Sequence, residues 1–276
     1  MPAKQRLDQA LVARGLAPSR SRARALVMAA KVRVAGQAAT KAGMLVAEDD
    51  EIEVAETPRF VGRGGDKLAA ALEATGLDPR DRVCLDVGAS TGGFTDCLLQ
   101  AGAAAVVAVD VGYGQLDWRL RQNDRVFVLE RVNARNLTTK DLPAALPRRP
   151  DLLVIDVSFI GIGKVLPAAA ACCADSCEAL LLVKPQFECG PEHVGKGGVV
   201  VDAGARREAL EKVGNEAVAG GWEPRGAVAS PIRGAKGNWE CFLYLGRPPA
   251  GDEPASLAEV LQSIDIPTGR EDARAP

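Results

Sequence analysis

Histidine is nearly absent from this chain of 276 residues, which contains one, His193. A serine–histidine hydrolase and a metal enzyme with several histidine ligands are therefore excluded, and proton transfer must use lysine, aspartate or glutamate. The seven cysteines include no C-x-x-C spacing. We therefore expect neither a zinc site nor a disulfide framework.

Long apolar runs are also absent. No run approaches the roughly 18 residues that a membrane-spanning helix needs. The N-terminal residues M-P-A-K-Q-R-L-D lack the apolar core of a signal peptide. We therefore expect a soluble, cytoplasmic protein that has no membrane partner and folds into one or two domains.

Acidic residues are scarce at the N-terminus. Residues 1–47 contain nine lysines and arginines and one acid, Asp8, a formal charge of +8, whereas the whole chain carries −2, so the remainder carries −10. Such asymmetry is typical of a polyanion-binding module attached to an acidic domain.

The basic segment has the pattern of a small folded unit. Residues 5–14 place Leu7, Ala10 and Leu11 on one face of a helix. A second helix, 19–30, places Arg20 and Arg24 on one face and is expected to turn Ala25, Leu26 and Ala29 inward. Alternating residues on both sides of Gly36 predict short strands. The expected unit, residues 1–57, has two helices and a small sheet.

The rest of the chain alternates apolar strands with helices, which predicts an α/β fold with a doubly wound sheet. Residues 58–65, P-R-F-V-G-R-G-G, interrupt the periodicity and predict a linker before a domain at 66–247. The residues after 247, rich in proline and acids, predict a peripheral or disordered tail at 248–276. Strands are expected at 82–88, 105–111, 126–130, 151–157 and 178–184, and helices at 92–102 and 205–219.

The first of these strands ends in L-D-V-G-A-S-T-G-G-F, residues 85–94, which is the ligand position of open α/β sheets. The glycine spacing departs from the G-x-G-x-x-G of dinucleotide enzymes and disfavours a nicotinamide cofactor. Asp86 can hold an ammonium group, directly or through water, while Gly88 admits a ligand close to the backbone. Asp110, at the end of the second strand, can accept hydrogen bonds from the hydroxyls of an adenosine ribose. S-adenosylmethionine fits this pattern.

Four charged residues are expected near the mouth of the same site: Lys67, Asp156, Lys184 and Glu240. Asp156 and Lys184 each follow an apolar run, so their charges emerge at the carboxyl ends of buried strands. Taken singly, each could be a surface charge that ends a strand or helix.

Several motifs occur together in one order: D-V-G-A-S-T-G-G-F-T, V-D-V-G-Y-G-Q-L, E-R-V-N-A-R-N-L, D-V-S-F-I and V-K-P-Q-F-E. The chain resembles the TlyA (haemolysin A) family of ribosomal RNA ribose methyltransferases. Its first segment is similar to the RNA-binding domain of small-subunit ribosomal protein four, and its second part resembles the FtsJ-type 2′-O-methyltransferases. One departure is Cys241, where we expect an aromatic residue.

The resemblance implies a Rossmann-like class I methyltransferase sheet, S-adenosylmethionine as the cofactor, and ribosomal RNA or ribosomal subunits as partners. It implies that Lys67, Asp156, Lys184 and Glu240 form a catalytic Lys-Asp-Lys-Glu tetrad. The expected cofactor contacts are Asp86, Gly88, Ala89, Ser90, Gly92, Gly93, Phe94, Asp110, Val111, Asn133 and Asp156. The expected RNA contacts are Arg6, Arg14, Arg20, Arg22, Arg24, Lys31, Lys41, Arg63, Arg135 and Lys196.

A 2′-hydroxyl must be aimed at the methyl carbon and partly deprotonated before in-line transfer. Our hypothesis makes Lys184 the base, lets Asp156 and Glu240 orient the two ammonium groups, and assigns Lys67 to the target ribose or its phosphate. A lysine acts as a base only when its pKa falls from about 10.4, which burial or a second cation favours and a carboxylate opposes. Residues 189–198, rich in glycine, could form a loop that gates the substrate, or an ordinary mobile loop.

Three alternatives remain at this stage. An RNA-binding protein without catalysis could retain the sheet, although the complete tetrad argues against it. A base methyltransferase would use a proline-containing strand end, which Asp156-Val157-Ser158-Phe159 lacks. A membrane-active haemolysin would need apolar segments that the sequence does not contain.

Overall fold

The protein is described by a computed structural model over residues 4–55, 58–247 and 256–269. The chain divides into two compact units, Met1–Pro58 and Arg59–Pro276. The expected linker at 58–65 is corrected by this division, because nearly all of it belongs to the second unit. Phe60 is buried in the core of that unit, and its ring packs so tightly on Gly65 that a Cβ there would overlap it.

The first unit has the expected two helices and small sheets. β1 pairs with β4, and β2 lies between β3 and β5 in a three-stranded antiparallel sheet. Leu7, Ala10 and Leu11 are fully buried, as predicted. The elements are β1 (Gln5–Arg6), α1 (Leu7–Ala13), α2 (Arg20–Met28), β2 (Val32–Val34), β3 (Gln37–Ala38), β4 (Leu45–Val46) and β5 (Ile52–Val54).

Helix α2 begins where its sequence indicates, because the Ser19 side chain accepts a hydrogen bond from the Arg22 amide. The inward face was predicted one position out of register. Ala23, Leu26 and Val27 are buried, whereas Ala25 and Ala29 are exposed. Positions 23, 26 and 27 form one continuous helical stripe, and it is this stripe that meets the core of the unit.

The second unit is built around one sheet with the strand order β11-β12-β10-β9-β6-β7-β8. Strands β10, β9, β6, β7 and β8 are parallel, and β12 lies antiparallel between β10 and β11. The elements are α3 (Gly64–Thr75), β6 (Val83–Val87), α4 (Gly93–Gln100), β7 (Ala105–Asp110), α5 (Trp118–Arg121), β8 (Val126–Glu130), β9 (Leu152–Ile155), α6 (Leu166–Cys172), β10 (Glu178–Val183), α7 (Pro185–Glu188), α8 (Ala203–Ala219), β11 (Glu223–Ala229), β12 (Cys241–Gly246) and α9 (Leu257–Gln262).

The central strands are apolar because both faces of the sheet are covered. Leu85, Val107 and Leu153 face one apolar layer, whereas Cys84 and Val106 face the other. All five predicted strands exist, and the expected doubly wound α/β sheet is confirmed. The sequence did not predict β11 and β12. The order along the sheet reverses between β6 and β9, which is where ligands bind in open α/β sheets.

The expectation of a peripheral or disordered tail is wrong for residues 256–269. Helix α9 begins with a capping box at Ser256 and buries Leu261 in the core. The buried Arg206 side chain of α8 donates hydrogen bonds to the carbonyl oxygens of Pro267 and Gly269. An apolar helix face and a buried guanidinium therefore hold this segment on the sheet unit. The rest of the tail prediction, 248–255 and 270–276, lies outside the described residues.

Candidate active site

Three of the four expected tetrad residues lie at one edge of the sheet. Asp156 follows β9, Lys184 follows β10 and Glu240 precedes β12, and these three strands are neighbours. Val183 pairs with Cys241 across β10 and β12, so Lys184 and Glu240 occupy the next position of the same register. Because neighbouring strands lie about 4.8 Å apart, the three charges share a short stretch of this edge.

The fourth residue, Lys67, reaches this edge from the first turn of α3. Its Nζ lies 2.5 Å from Glu240 Oε2, and the Glu240 side chain is only 2% exposed. The Nζ of Lys184 lies 2.5 Å from Asp156 Oδ1. The four residues therefore form two ion pairs, each with one lysine and one carboxylate. Each carboxylate orients one ammonium group, as the sequence analysis predicts.

Ser158 is a site residue that the sequence analysis did not select. The Lys184 ammonium donates a hydrogen bond of 3.0 Å to Ser158 Oγ, across the parallel strands β9 and β10. The signal was present in D-V-S-F, because a serine two positions after a strand-end carboxylate faces the same edge. Asp156 and Ser158 together fix the direction of the Lys184 side chain.

Glu240 is held in place by the turn that precedes it. A Cβ at Gly234 would overlap the Glu240 carboxylate, so glycine is required where the turn passes. The buried Asn238 side chain donates to the Gly198 carbonyl oxygen at 2.8 Å and accepts from the Val200 amide at 3.1 Å. These two hydrogen bonds join the turn to the C-terminal end of the glycine-rich segment 189–198.

At Gly88, directly after β6, the backbone passes very close to the backbone of Asp156 after β9. Gly88 has a φ of 90°, and a Cβ there would overlap the carbonyl oxygen of Asp156. The Asp156 amide donates to the Val87 carbonyl oxygen at 2.9 Å. Gly88 is thus needed for the contact between the ends of β6 and β9, which brings the two strand-end motifs together.

Asp86 lies beneath this edge and is completely buried. Its Oδ2 accepts a hydrogen bond of 2.6 Å from Thr95 Oγ1, whereas its Oδ1 has no hydrogen-bond partner in the structure. Burial raises the pKa of the Asp86 carboxyl to about 7. A buried carboxyl oxygen without a partner can accept a hydrogen bond from the ammonium group of a bound ligand, directly or through a water.

The raised pKa of Asp86 predicts a pH dependence of stability. Between the unfolded value of about 3.9 and the folded value of about 7, the folded protein holds a proton that the unfolded chain has released. This contribution to the free energy of unfolding therefore decreases as the pH rises through that range and is constant above it.

We expect Asp86→Asn to remove this decrease, about 4 kcal/mol, and to be more stable than the unsubstituted protein at pH 8 when no cofactor is added. Urea denaturation at a series of pH values measures it. Asp124→Asn, at an exposed carboxylate, is the control. Identical pH profiles for the Asp86 variant and the unsubstituted protein would contradict the prediction.

A cavity of about 490 Å³ opens at the same edge, within the roughly 300–1,000 Å³ of small-molecule sites. Val87, Val109 and Val165 form part of its apolar wall. Six of the expected cofactor contacts line it: Gly88, Ser90, Asp110, Val111, Asn133 and Asp156. The cavity therefore joins the tetrad carboxylate Asp156 to the expected adenosine side.

Asp110 is fixed by two backbone amides. Its Oδ2 accepts from Ser90 N and its Oδ1 from Gly112 N, each at 2.7 Å. A carboxylate oxygen accepts more than one hydrogen bond, so both oxygens can still receive the hydroxyls of a ribose. Asn133 caps the turn Ala134–Asn136 by accepting from the Arg135 amide. Carboxylate, amide and apolar wall are the groups that an adenosine with an amino-acid arm needs, so S-adenosylmethionine fits the residues present.

Five expected cofactor contacts do not line the cavity, and their role stays a prediction: Asp86, Ala89, Gly92, Gly93 and Phe94. Asp86 lies below its floor. A Cβ at Gly92 would overlap Leu120, and one at Gly93 would press on the backbone of Gly65. Phe94 is buried against Phe242. The second half of the glycine-rich motif thus provides close helix packing.

The three expected RNA contacts of the second unit are all exposed. Arg135 is exposed and lines the cavity, whereas Lys196 is exposed in the glycine-rich segment. Arg63 is also exposed, at the start of α3. Phe159, which the sequence analysis did not select, is 91% exposed at the mouth of the cavity with a φ of 65°.

The expected contacts of the first unit have different roles. Lys31 is half-buried. The exposed contacts are Arg6, Arg20, Arg22, Arg24 and Lys41. The Arg14 guanidinium donates to the carbonyl oxygens of Ala47, Glu48 and Asp50 and closes that loop, so its expected RNA contact stays a prediction. Three of its five N–H donors are used within the protein.

In the part of the chain that the structure describes, no helix has the length and apolar character to cross a membrane. Within the same residues, no cluster of three or more histidine, cysteine, aspartate or glutamate side chains could hold a metal ion.

Comparison with known proteins identifies relatives of both units. Residues 60–247 match the FtsJ-like methyltransferase family, and residues 5–52 match the S4 domain. The 16S/23S rRNA (cytidine-2′-O)-methyltransferase TlyA of Mycobacterium tuberculosis is 48% identical over 247 residues, which are 89% of this chain and 91% of the relative. YqxC of Bacillus subtilis, provisionally named an rRNA methyltransferase, is 42% identical and covers 93% of this chain and 90% of its own. A solved structure from Streptococcus thermophilus, provisionally described as a hemolysin, has 40% identity, a TM-score of 0.69 and 95% coverage of each chain.

Proposed function

Because the chain belongs to the FtsJ-like methyltransferase family and carries an S4 domain before it, we propose that its Lys-Asp-Lys-Glu tetrad methylates the 2′-hydroxyl of a cytidine in ribosomal RNA. The enzyme is an rRNA 2′-O-methyltransferase, and S-adenosylmethionine is its cofactor. The cytidine is taken from the name of the Mycobacterium tuberculosis relative. The observation that carries the proposal is the two ion pairs, Lys184–Asp156 and Lys67–Glu240, at one edge of the sheet.

The cofactor is held by the residues that line the cavity. Asp110 would accept hydrogen bonds from the ribose hydroxyls, and Val111 and Val132, which also line the cavity, would provide apolar surface for the adenine. Asp86, below the floor, attracts the ammonium group of the amino-acid arm, directly or through water. When bound, S-adenosylmethionine would supply a methyl group from its positively charged sulfur, and the sulfur would become a neutral thioether.

Lys184 is the base of the proposed reaction. After the Lys184 ammonium has released one proton to solvent, its neutral amine accepts through Nζ the proton of the 2′-hydroxyl, as the bond between oxygen and the methyl carbon forms and the bond between carbon and sulfur breaks. Asp156 and Ser158 aim the Lys184 nitrogen, because both contact it. Lys67, oriented by Glu240, holds the target ribose or its phosphate. Positioning and proton removal, the two requirements of this transfer, are thus assigned to separate lysines.

Phe159 is placed to receive the base of the target nucleotide. Its ring lies 5.1 Å from that of Phe187, and its backbone is held in the left-handed region. A strained, exposed aromatic residue beside a reaction centre indicates a functional constraint, and aromatic rings stack on RNA bases.

We expect Phe159→Ala to raise the KM for RNA about tenfold, because stacking contributes roughly 1–3 kcal/mol per base. Phe159→Trp, which keeps a stacking ring, should retain most of the affinity. Steady-state transfer with the RNA concentration varied at saturating cofactor measures it. An unchanged KM in the alanine variant would show that Phe159 does not stack on the RNA and contacts only protein side chains such as Phe187.

The proposed function is tested by transfer of labelled methyl groups from S-adenosylmethionine to isolated small and large ribosomal subunits. The RNA is then digested with alkali, which spares the phosphodiester bond next to a 2′-O-methylated ribose. We expect an alkali-resistant dinucleotide that carries the label and begins with cytidine. The labelled subunit identifies the substrate.

Two outcomes would favour the other candidates. Label released in a mononucleotide would show that the acceptor is a base nitrogen or carbon. Absence of label, with RNA still bound, would favour an RNA-binding protein without catalysis. Each outcome contradicts the proposed chemistry.

A further inference from the structure

Asp8 is the one acidic residue among the first 47 of the chain, which also hold nine lysines and arginines. It lies in the first turn of α1 and is completely buried. A buried carboxylate in the most basic segment of the protein requires a reason, because it removes charge from a surface that binds a polyanion.

The Asp8 carboxylate is the common partner of three arginines. Arg6 Nε donates to Asp8 Oδ1 at 3.0 Å, and Arg6 Nη2 donates to Oδ2 at 3.3 Å. Arg20 Nη2 and Arg24 Nε donate to Oδ2 at 3.2 and 3.1 Å. Arg6 precedes α1, whereas Arg20 and Arg24 belong to α2, so one carboxylate joins side chains from two elements.

The three arginines keep their outer surfaces in solvent. Their side chains are 44%, 49% and 55% exposed for Arg6, Arg20 and Arg24, whereas the Asp8 side chain has no exposure. Each guanidinium has five N–H donors, and Asp8 uses one donor each of Arg20 and Arg24. The hydrogen bond to Asp8 fixes one edge of each guanidinium group. The N–H donors on the opposite edge therefore point away from Asp8 and toward solvent.

A cleft of about 450 Å³ lies on the same helix face. It is lined by Arg20, Ser21, Arg24, Ala25 and Met28, so two of the three arginines border it. The guanidinium groups supply bidentate donors for a phosphate, and Met28, 88% exposed, supplies an apolar surface for a base or sugar.

We propose that Asp8 is a positioning residue for RNA: from its buried site it fixes Arg6, Arg20 and Arg24 as a rigid set of phosphate ligands on the first unit. This inference rests on the proposed function, because it takes ribosomal RNA as the partner. It adds a role for a residue that does not touch the RNA.

The Asp8 carboxylate remains charged over the whole pH range in which binding is measured. The hydrogen bond from Arg6, followed by those from Arg24 and Arg20, holds the pKa of Asp8 well below its usual range despite its burial. The cluster of one carboxylate and three guanidinium groups therefore keeps a net charge of +2. Without the carboxylate, the three cations repel one another and regain the rotamer freedom that phosphate binding would have to remove.

The sign of the effect separates this proposal from simple charge counting. Removal of a negative charge from a basic unit should strengthen binding to a polyanion if only net charge matters. Loss of the fixed arginine geometry should weaken binding. Asp8→Asn, which keeps the size of the side chain, distinguishes the two.

The experiment measures binding of the full-length protein to protein-free ribosomal RNA by filter retention over a series of salt concentrations. We expect Asp8→Asn to weaken binding about tenfold, which corresponds to about 1.4 kcal/mol. We also expect the slope of log affinity against log salt to become shallower by about one phosphate contact, roughly 0.7–0.9. The control, Asp49→Asn, removes one exposed charge from the same unit and should leave binding unchanged or tighter.

A second pair of variants covers the case in which Asp8→Asn does not fold. Arg24→Lys keeps the charge but loses the planar fork that Asp8 orients, whereas Arg22→Lys makes the same change at an exposed arginine of α2. We expect Arg24→Lys to weaken binding several times more than Arg22→Lys. Equal effects of the two, or a folded Asp8→Asn protein that binds as tightly as the unsubstituted one, would overturn the proposal.

Failure of the proposed function has a different signature. In that case the unsubstituted protein itself does not bind the RNA or does not transfer methyl groups to subunits. If it binds and transfers normally while Asp8→Asn is unchanged, only the role of Asp8 is refuted.

Discussion

Lys184→Ala is expected to reduce methyl transfer by about 10²–10⁴-fold, because it removes the proposed base. The Nζ of Lys184 lies within 2.5 Å of Asp156 Oδ1 and 3.0 Å of Ser158 Oγ, so its direction is set before any substrate binds. Loss of the amine leaves the 2′-hydroxyl without a proton acceptor at the edge of the cavity. A single-turnover assay with saturating ribosomal subunits measures this step without product release.

Cofactor binding should survive this change. Asp110 and Asn133 line the cavity, whereas Lys184 is not part of its lining. Titration with S-adenosylhomocysteine should therefore give nearly the same dissociation constant for Lys184→Ala and the unsubstituted protein. Lys164→Ala, at an exposed lysine of the turn Ile162–Lys164, is the matched control and should transfer normally. A Lys184→Ala protein with full activity would refute the assignment of the base.

The buried pair Lys67–Glu240 should give the largest effect on stability. The two side chains are 11% and 2% exposed, so removal of one partner leaves a charge with little access to water. We expect Lys67→Met to lower the free energy of unfolding of the sheet unit by about 3–5 kcal/mol. Urea denaturation, followed by a probe in the second unit, measures it, because the chain has two units.

The double variant Lys67→Met/Glu240→Leu separates stability from catalysis. Replacement of both charges by apolar side chains of similar size is often neutral for stability, so most of the loss should be recovered. Methyl transfer should remain at least about 100-fold reduced, because the ribose or its phosphate has lost its ligand. A double variant that is stable and active would show that the pair serves packing alone.

Most of the fold could be predicted from the sequence because its strands are buried on both faces. A strand such as Leu152–Ile155 is apolar at every position, and such runs can be recognised without knowing their neighbours. β12 is also a buried apolar run, Cys241–Gly246, and the sequence analysis did not assign it. β11 lacks this pattern. β11 is only partly buried and begins with Glu-Pro-Arg-Gly, so neither its burial nor its composition marks it as a central strand.

The candidate site was predicted in part. The identities of Asp156 and Lys184 followed from their positions after apolar runs, because a charge that ends a buried strand must emerge at its edge. The pairing of Lys67 with Glu240, 173 positions apart, could not be read from local pattern. Phe159 was missed because an exposed loop residue carries no periodic signal. Ser158 was missed although its spacing of two positions from Asp156 indicates the same edge of the sheet.

The glycine-rich motif, residues 85–94, was predicted correctly as a strand end, but its two halves have different roles that the sequence did not distinguish. Its first half, Gly88, Ser90 and the preceding Asp86, lies at or below the cavity, as expected. Its second half, Gly92 to Phe94, packs against α3, α5 and Phe242 instead. The motif therefore serves two purposes, and only the neighbours that the fold places against each residue separate them.

The sequence by itself determined the two-unit organisation, the basic character of the first unit, the α/β class and the strand ends that carry charge. Those properties depend on composition and on short-range periodicity, which each segment expresses alone. The tertiary structure decided which lysine pairs with which carboxylate, that Arg14 closes a loop, that Asp8 joins three arginines, and that residues 256–269 pack on the sheet unit. These outcomes depend on residues far apart in the chain, whose contacts are set by how the helices pack on the sheet and on one another.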